Sequence, residues 1–384
     1  MKEKMDPKRY LDRDVREDLK SKMVFLGGPR QVGKTTFALS LLGAKRGTHS
    51  AYLNWDFPMD RVKITRAEIP TRYPLVVLDE IHKFARWRNL VKGLYDRYRH
   101  DVSFLVTGSA RLDYYRKGGD SLQGRYHYYR LHPLSMGELG DFSTRTLGEL
   151  LRFGGFPEPF FGGSERIWRR WQSERTARVI HEDLADLERV REVSLIDLLV
   201  EALPGKVGSP LSVKNLREDL QVSHEAVERW IQILERLYFC FRISPYSPKN
   251  RIRAVKKEQK LYFWDWSLCL EEGGARFENL VASQLLKFCH YQEDTEGYRM
   301  ELRFLRDTDG REVDFVVLKD KIPLFAVECK SGEKSASHSC RYFRERTAIP
   351  KFYQVHRGHK DYGSESRDVR VLPFSAFCRE LNLP

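Results

Sequence analysis

One eight-residue segment constrains the fold of this chain more than any other. Gly28-Pro-Arg-Gln-Val-Gly-Lys-Thr35 follows an apolar run at residues 23–26 and precedes a stretch with a helical pattern. This is the G-x-x-x-x-G-K-[ST] arrangement, in which glycines let the backbone turn tightly between a strand and a helix. Such a strand–loop–helix unit is typical of an α/β fold with a parallel sheet.

The chemistry of this segment is that of a phosphate cradle. Gly28 and Gly33 let backbone N–H groups close around phosphate oxygens, at the positive end of the helix that follows. Lys34 is placed to reach the β and γ phosphates, and the Thr35 hydroxyl to ligate magnesium. We therefore expect ATP and Mg²⁺ to bind here, with contacts that extend to Thr36 in the first helical turn.

Two further apolar runs end in polar residues. Residues 75–78 are followed by Asp79 and Glu80, and residues 104–106 lead to Thr107 and Ser109. We expect Asp79 to hold the magnesium through water and Glu80 to polarise the attacking water. Thr107 or Ser109 is expected to orient that water if the two strands are neighbours. The alternative is that the two acidic residues only cap the end of a strand.

The bulk composition favours a polyanionic partner. The chain has 384 residues, which predicts two to four domains, and a formal net charge of +13. Clustered Lys and Arg bind polyanions by releasing condensed counterions, although a generally basic surface is the alternative. The six cysteines form no close pair and the amino terminus has no apolar core, so we expect a reducing cytoplasmic location and no membrane partner.

The pattern along the chain predicts four domains. Apolar runs at 23–26, 51–54, 75–78, 102–107 and 126–131 alternate with helical stretches and indicate the parallel sheet. Residues 144–203 are helical and are interpreted as a lid. A helix-turn-helix at 211–237 followed by two strand-like runs predicts a winged helix. The boundaries are 1–142 for the core, 143–205 for the lid, 206–268 for the winged helix and 269–384 for a small α/β domain.

The presumed wing of the third domain is strongly basic. Residues 248–260 include Lys249, Arg251, Arg253, Lys256, Lys257 and Lys260. A hairpin of this charge can track a phosphate backbone, so DNA is the expected partner. Winged helices also serve as protein contacts, and that alternative stays open.

A second set of polar residues emerges from apolar strands near the carboxyl terminus. Arg311-Glu-Val-Asp314 begins one such strand, and Glu328-Cys-Lys330 ends the next. If the two strands form a hairpin, Asp314 meets Glu328 and Lys330, because alternate side chains share a face. Two carboxylates then bind Mg²⁺ or Mn²⁺, with Glu278 of the preceding helix as a further ligand, and the lysine activates water for attack on a phosphodiester. Glu-x-Lys alone is also a common surface ion pair.

Several motifs together resemble those of a known family. The Gly28–Thr35 segment, Leu78-Asp-Glu80, Thr107-Gly-Ser109, Ser121-Leu-Gln-Gly-Arg125, His132-Pro-Leu-Ser135 and Gly154-Gly-Phe-Pro-Glu158 resemble prokaryotic AAA-type ATPases that carry a carboxy-terminal restriction-nuclease-like domain. The resemblance covers nearly the whole chain. It implies an AAA-type core, a winged helix and a nuclease-like domain with the D…E-x-K set Asp314, Glu328 and Lys330, and many members of the family have no assigned role.

Arg125 lies directly before a predicted strand, where an arginine can reach the nucleotide of a neighbouring subunit. A role in trans requires a homo-oligomer, and the resemblance suggests a hexamer. A surface arginine without a catalytic role is the alternative.

Three functions follow from these patterns. The leading one is a magnesium-dependent ATPase that acts on DNA, with cleavage by the carboxy-terminal domain. The second is a regulatory switch in which nucleotide state controls docking on DNA or protein and the nuclease-like domain does not cut. A small-molecule kinase is disfavoured, because it has no use for a basic hairpin and a metal-binding strand pair.

Overall fold

The computed structural model describes residues 8–45, 47–108, 122–183, 193–247, 259–270, 274–363 and 369–384. The chain forms two compact units that divide between His132 and Pro133. Within the described ranges, no helix is both long and apolar enough to cross a membrane. Ser109 and the wing residues Lys249, Arg251, Arg253, Lys256 and Lys257 lie outside the described residues.

The first unit is built on a five-stranded sheet. The order is β2-β3-β4-β1-β5 and the pairings are parallel throughout. The three central strands, Met23–Gly27, Leu75–Asp79 and Ser103–Thr107, are nearly continuous apolar runs because helices cover both faces of such a sheet. The predicted α/β fold with a parallel sheet is therefore confirmed. Its strands are β1 (Met23–Gly27), β2 (Tyr52–Asn54), β3 (Leu75–Asp79), β4 (Ser103–Thr107) and β5 (Tyr126–Arg130).

Helices of the first unit bury apolar side chains against this sheet. The helices are α1 (Asp12–Asp18), α2 (Lys34–Leu41), α3 (Pro58–Thr65) and α4 (Trp87–Tyr98), with a 3₁₀ turn at Ile81–Lys83. Trp87, Val91 and Leu94 of α4 are spaced three to four residues apart and so share one helical face. That face packs in the same core as Phe25 and Phe104. Burial of each such side chain contributes about 1.5–3 kcal/mol.

The second unit begins with helices. They are α5 (Met136–Leu139), α6 (Thr144–Phe153), α7 (Pro157–Gly162), α8 (Glu165–Arg178), α9 (Val193–Ala202), α10 (Val213–Leu220) and α11 (His224–Arg236), with a π turn at Val179–Asp183 and a 3₁₀ turn at Leu203–Lys206. The helices predicted as a lid thus belong to this unit. The Trp266 indole N–H donates to the Leu150 carbonyl at 2.6 Å, and the Gln172 amide donates to Asp265 at 2.5 Å. The role of these helices as a lid over a bound nucleotide stays a prediction.

The predicted helix-turn-helix corresponds to α10 and α11. Gln221 ends α10 with a left-handed φ of 54°, and the Ser223 hydroxyl accepts the Ala226 N–H at 3.1 Å to begin α11. A side-chain oxygen at this position satisfies one of the free N–H groups at a helix start. The turn at residues 221–223 therefore lies where the sequence predicted it.

A seven-stranded mixed sheet forms the rest of the second unit. The strand order is β12-β11-β10-β9-β8-β6-β7. The strands are β6 (Cys240–Pro245), β7 (Lys260–Phe263), β8 (Met300–Arg306), β9 (Glu312–Lys319), β10 (Ile322–Lys330), β11 (Phe352–His356) and β12 (Arg370–Pro373). The helices that accompany them are α12 (Ala275–Glu296), α13 (His338–Arg346) and α14 (Phe374–Glu380), with a 3₁₀ turn at Trp266–Leu268.

The sheet continues across the boundary predicted at residue 268. Ser244 and Pro245 of β6 pair in parallel with Arg303 and Phe304 of β8. The two strands assigned from sequence to a separate winged helix are therefore part of the carboxy-terminal sheet. The physical reason is that an isolated two-stranded ribbon is marginal in water and would expose an unpaired apolar edge.

Candidate nucleotide site and carboxylate centre

The glycine loop between β1 and α2 has the backbone shape that its sequence predicts. Gly28 and Gly33 have φ values of 135° and 100°, which favour glycine. A Cβ atom on Gly28 would lie 2.5 Å from the carbonyl oxygen of Leu131, so no other residue fits there. The Lys34 ammonium is buried in the loop, where it donates to the carbonyls of Gly28 and Pro29 at 2.9 and 2.7 Å. Thr36 is exposed in the first turn of α2.

Asp79 is the centre of a hydroxyl network at the carboxyl end of the sheet. Its side chain is buried at the end of β3, in register with Asn54 on one side and Thr107 on the other. The Thr35 hydroxyl donates to Oδ2 at 3.0 Å, and the Thr107 hydroxyl donates to Oδ1. Carboxylate and hydroxyl oxygens are the ligands that magnesium prefers, so this pair of residues beside the glycine loop fits the ion.

Tyr52 joins this network and was not predicted from the sequence. Its hydroxyl also donates to Asp79 Oδ2. Burial and the charge of Asp79 raise the pKa of the Tyr52 phenol above its ordinary value, so it remains a donor. Side chains alternate between the two faces of a strand, so the sequence of β2 indicates which of its residues share a face with Asp79. It identifies Tyr52 only when β2 is known to lie beside β3.

Glu80 follows the strand in a strained backbone conformation. Its φ of 56° is left-handed, which is uncommon outside glycine and often accompanies functional sites. The carboxylate lies 3.5 Å from the Lys83 ammonium and 3.6 Å from the His82 imidazole. Burial, and next the charge of Asp79, raise the pKa of Glu80. A carboxylate with a raised pKa is a stronger proton acceptor when ionised.

The carboxy-terminal constellation also comes together. Phe315 of β9 pairs with Val327 of β10, so Asp314 and Glu328 are neighbours on one face of an antiparallel hairpin. Asp314 Oδ2 accepts the Cys329 N–H at 2.8 Å, and the Lys330 ammonium donates to Glu328 Oε1 at 2.5 Å. Both carboxylates are buried. The hairpin predicted from the sequence is therefore present.

Glu278 reaches the same centre from the first turn of α12. The Tyr262 hydroxyl donates to Glu278 Oε1 at 2.7 Å. Burial, and next the charge of Asp314, raise the pKa of Glu278 to about 8. The same two causes raise the pKa of Glu328 to about 8. The carboxylates thus act on one another inside a poorly solvated site.

Lys260 corrects one interpretation of the sequence. It was assigned to the basic wing, yet its side chain is fully buried at the start of β7. Its ammonium lies 3.4 Å from Glu278 and 3.7 Å from Asp314, and it donates to Glu312. Glu312, which also escaped the sequence analysis, lies two residues before Asp314 on the same face of β9. Lys260 is therefore a counter-ion of the carboxylates and not a surface contact for phosphates.

The predicted metal ligands Glu278, Asp314 and Glu328 are gathered but do not form a cation site as they stand. Across the described ranges, no group of three or more His, Cys, Asp or Glu side chains is arranged to hold a metal ion. Lys260 supplies positive charge where a metal would, and Asp314 Oδ2 is engaged by the backbone. Glu328 Oε2, by contrast, is buried with no hydrogen-bond partner. The centre in this arrangement does not fit Mg²⁺ or Mn²⁺.

Comparison with known families finds a match for the first part of the chain. Residues 20–140 match the family model described as an AAA domain. This range contains the glycine loop, Asp79 and the five-stranded parallel sheet. The match supports an AAA-type ATPase domain at residues 20–140. Residues 144–273 and 273–377 match two models described as domains of unknown function, DUF8612 and DUF4143.

Relatives with the same extent are known but their names state no function. The uncharacterized protein MJ1544 of Methanocaldococcus jannaschii is 22% identical over 411 residues, which cover 95% of this chain and 90% of that protein. The uncharacterized protein Rv2008c of Mycobacterium tuberculosis is 25% identical over 333 residues, which cover 81% of this chain and 73% of that protein. Each alignment thus extends over most of both chains.

Similarity to solved structures is weak. The Aeropyrum pernix ORC1 protein in complex with DNA aligns with a TM-score of 0.34 and 13% identity, covering 73% of this chain and 95% of that chain. The RuvB Holliday junction branch migration motor of Thermotoga maritima gives a TM-score of 0.28 and 17% identity, covering 60% and 88%. Similarity at this level supports no conclusion about the present chain.

Arg125 lies at the edge of the AAA domain that is remote from its glycine loop. It precedes β5, whose amino end pairs with the amino end of β1, whereas the loop follows the carboxyl end of β1. At roughly 3.3 Å per residue, a five-residue strand separates the two edges by about 16 Å. Arg125 forms an ion pair with Asp96 of α4 at 2.9 Å. Arg125 is therefore too far from the glycine loop of its own chain to act there. Its action on the nucleotide of a neighbouring subunit stays a prediction.

Proposed function

We propose that the chain is a magnesium-dependent ATPase that acts on nucleic acid, and that its carboxy-terminal centre is a phosphodiesterase site that is closed in the present arrangement. The observation that carries the second half is the meeting of Asp314, Glu328 and Lys330 on adjacent strands, in a chain that begins with an AAA domain. Two carboxylates beside a lysine are the side chains that metal-assisted cleavage of a phosphodiester uses, and a metal ion would have to bind before this centre could cut.

The hydrolytic step follows from the residues around Asp79. The backbone N–H groups of the loop and the Lys34 ammonium would hold the phosphates, and Thr35 and Asp79 would hold magnesium. Magnesium, when bound with ATP, withdraws negative charge from the phosphoryl oxygens. Glu80 orients the attacking water and accepts its proton. Phosphate release without any acceptor separates this reaction from that of a small-molecule kinase.

The distribution of charge supports a polyanionic partner and suggests where it binds. Residues 1–132 contain 27 Lys and Arg against 15 Asp and Glu, whereas residues 133–384 contain 40 against 39. The excess positive charge of the chain is therefore concentrated in the ATPase part. Counterion release makes such binding strongly salt-dependent.

The partner is tested by incubating the protein with labelled single-stranded, duplex and branched DNA, with and without ATP. We expect binding that weakens steeply between about 50 and 200 mM salt and that changes phosphate release. The same assay with RNA distinguishes the two nucleic acids. If no nucleic acid binds or alters ATP turnover at low salt, the proposal of a nucleic-acid partner is wrong.

Cleavage is tested separately, with plasmid and labelled DNA or RNA in Mg²⁺ or Mn²⁺ and with ATP present. Wild-type protein is expected to cut, and Glu328→Ala and Lys330→Ala are each expected to abolish cutting. ATP turnover should stay largely intact in both variants, because the glycine loop lies in the other unit. Glu345→Ala, at an exposed position of α13, is the matched control. If wild-type protein cuts no substrate under any of these conditions, the phosphodiesterase claim fails.

A second candidate function is favoured by the buried ammonium of Lys260. In it the chain is an ATP-dependent switch that binds DNA or protein, and the carboxy-terminal domain is a platform that never cuts. This second candidate predicts that binding of DNA or protein depends on nucleotide and is unaffected by Glu328→Ala. Cleavage by wild-type protein that Glu328→Ala abolishes without loss of binding would support the first candidate over the second.

A further inference from the structure

Lys260 is the most unusual charged residue of the described chain, because its side chain has no exposure to solvent. Its ammonium contacts carboxylates from two different elements, Glu278 of α12 and both Glu312 and Asp314 of β9. The N···O distances are 3.4 Å to Glu278 and 3.7 Å to Asp314, and Glu312 accepts a hydrogen bond from the ammonium. Lys260 therefore lies at the focus of three carboxylates.

A divalent cation would seek the same position. Mg²⁺ and Mn²⁺ bind where several carboxylate oxygens converge, and the oxygens of Glu278, Glu312 and Asp314 converge on the Lys260 ammonium. The ammonium and a metal ion cannot both lie between these carboxylates, because like charges repel strongly where water is excluded. The lysine and a metal ion are thus alternatives for one set of ligands.

A second observation is a buried carboxylate oxygen at the centre that lacks a donor. Glu328 Oε2 is buried, with no hydrogen-bond partner, although the other oxygen of the same carboxylate accepts from Lys330. Glu328 is only 5% exposed and faces Asp314 across the hairpin. A buried carboxylate oxygen without a donor is costly, and a bound cation would relieve that cost.

We infer that Lys260 closes the carboxylate centre, because its ammonium occupies the position of a divalent cation between Glu278, Glu312 and Asp314. A metal ion binds there, with Glu328 Oε2 as an additional ligand, only when the ammonium leaves or is removed. The inference deepens the proposed phosphodiesterase function, on which it rests. Lys260 is a positioning residue for the carboxylates and does not itself react.

The test measures Mn²⁺ binding to the full chain without nucleotide, by electron paramagnetic resonance of the free ion. Lys260→Met removes the charge and keeps the length of the buried chain. We expect it to bind Mn²⁺ at least tenfold more tightly than wild-type protein. The double variant Lys260→Met with Glu328→Gln should lose that gain, and Asp79→Asn should not affect it, because Asp79 belongs to the nucleotide site.

Lys330→Met is the matched control, because it also removes a lysine that contacts a carboxylate of the centre but leaves Lys260 in place. It should bind Mn²⁺ much less tightly than Lys260→Met. Equal affinity of the two variants would mean that general loss of positive charge is responsible and would overturn the inference. So would a folded Lys260→Met protein that binds Mn²⁺ no better than wild type.

Thermal unfolding keeps the test decisive if Lys260→Met is unstable. A ligand that binds only the folded state raises its melting temperature, so Mn²⁺ should stabilise or refold this variant and leave wild-type protein nearly unchanged. A variant that stays unfolded at every Mn²⁺ concentration overturns the inference. If Lys260→Met binds Mn²⁺ more tightly but no nucleic acid is cleaved, the inference about Lys260 holds and the phosphodiesterase function is rejected. If wild-type protein cleaves nucleic acid but Lys260→Met shows no gain in Mn²⁺ affinity, the phosphodiesterase function holds and the inference about Lys260 is rejected.

Discussion

Single hydroxyl groups hold the central carboxylate of the nucleotide site in place. Asp79 accepts hydrogen bonds from Thr35, Tyr52 and Thr107, which come from α2, β2 and β4. Donors from three elements thus fix both oxygens of the carboxylate that we propose as a magnesium ligand. The loss of one of these hydrogen bonds is expected to weaken the binding of the ion.

Tyr52→Phe is expected to raise the Mg²⁺ concentration needed for ATP turnover by about tenfold. The variant loses one hydrogen bond to a charged group, which is worth about 1.5–3 kcal/mol, and leaves the ring in place. Tyr98→Phe is the control, since the Tyr98 hydroxyl donates to the Ala67 carbonyl at 3.0 Å and not to Asp79. The measurement is phosphate release against Mg²⁺ concentration. An unchanged Mg²⁺ requirement would show that Tyr52 does not position Asp79.

Lys34→Ala and Glu80→Gln should fail at different steps. Lys34→Ala removes the charge that faces the phosphates and should lose nucleotide binding, whereas Glu80→Gln should retain ATP and slow turnover about 10²–10⁴-fold. Because burial and Asp79 raise the pKa of Glu80, turnover should fall with acid above the usual range of a glutamate. Binding of a fluorescent ATP analogue and phosphate release separate the two, with exposed Lys63→Ala as control. Normal turnover in both variants would mean that the site is misassigned.

At the scale of elements, one arginine joins the helix-turn-helix to the carboxy-terminal sheet. Arg242 of β6 donates to Glu228 at 2.8 Å and to Glu235 at 2.9 Å, and both glutamates belong to α11. The Arg242 side chain is 8% exposed, so the pairs are partly shielded from water. Because β6 also pairs with β8, these contacts make α11 and the sheet one structural unit.

Arg242→Met is therefore expected to lower the free energy of unfolding by about 2–4 kcal/mol, since it leaves two carboxylates without their partner. Burial raises the pKa of Glu228, but Gln232 and Arg242 outweigh it, so the folded value is lowered. The stabilisation is accordingly present above the unfolded pKa near 4.3 and is lost as pH falls through the lowered folded pKa. Urea unfolding at pH 7 and pH 3 measures both effects. Arg217→Met, at a partly exposed position of α10 where the arginine pairs only with Glu218 among the ion pairs of the described residues, should change little, and an equal loss there would contradict the prediction.

For the whole molecule, the predicted role of Arg125 requires a second copy of the chain. Arg125 lies at the edge of its own domain that is remote from the glycine loop and pairs with Asp96, so we expect it to act at the nucleotide of a neighbouring subunit. We expect wild-type protein and Glu80→Gln to form an oligomer with ATP, a hexamer by resemblance, in sedimentation.

Mixing variants tests the role of Arg125 in trans. Arg125→Ala should retain ATP binding and lose roughly 10³-fold in turnover. Adding Lys34→Ala protein, which is inactive but keeps Arg125, should restore part of that activity. Asp96→Asn breaks the same ion pair and keeps the arginine, so it should remain active. A monomer that hydrolyses ATP normally and tolerates Arg125→Ala would defeat the idea.

The shape of the glycine loop could largely be predicted from the sequence because its determinants are local, whereas the binding roles of its residues stay predictions. Gly28, Gly33, Lys34 and Thr35 lie within eight residues, and their function depends on a turn that the glycines dictate. The central parallel strands could also be predicted from the sequence, because burial on both faces of a sheet requires a run of apolar residues. In β3 that run ends at Asp79. Asp314, Glu328 and Lys330 followed from strand alternation and one hairpin.

Only the tertiary structure decided what surrounds those groups. The sequence places Lys260 among the charges of a basic hairpin. Because β6 pairs with β8, however, the strand of Lys260 is part of the carboxy-terminal sheet, and its buried ammonium donates to Glu312, 52 positions further along the chain. Tyr52 reaches Asp79 only because β2 lies beside β3. Strand order is set by which apolar edges and faces cover one another across the whole chain, and no short window of sequence contains that information.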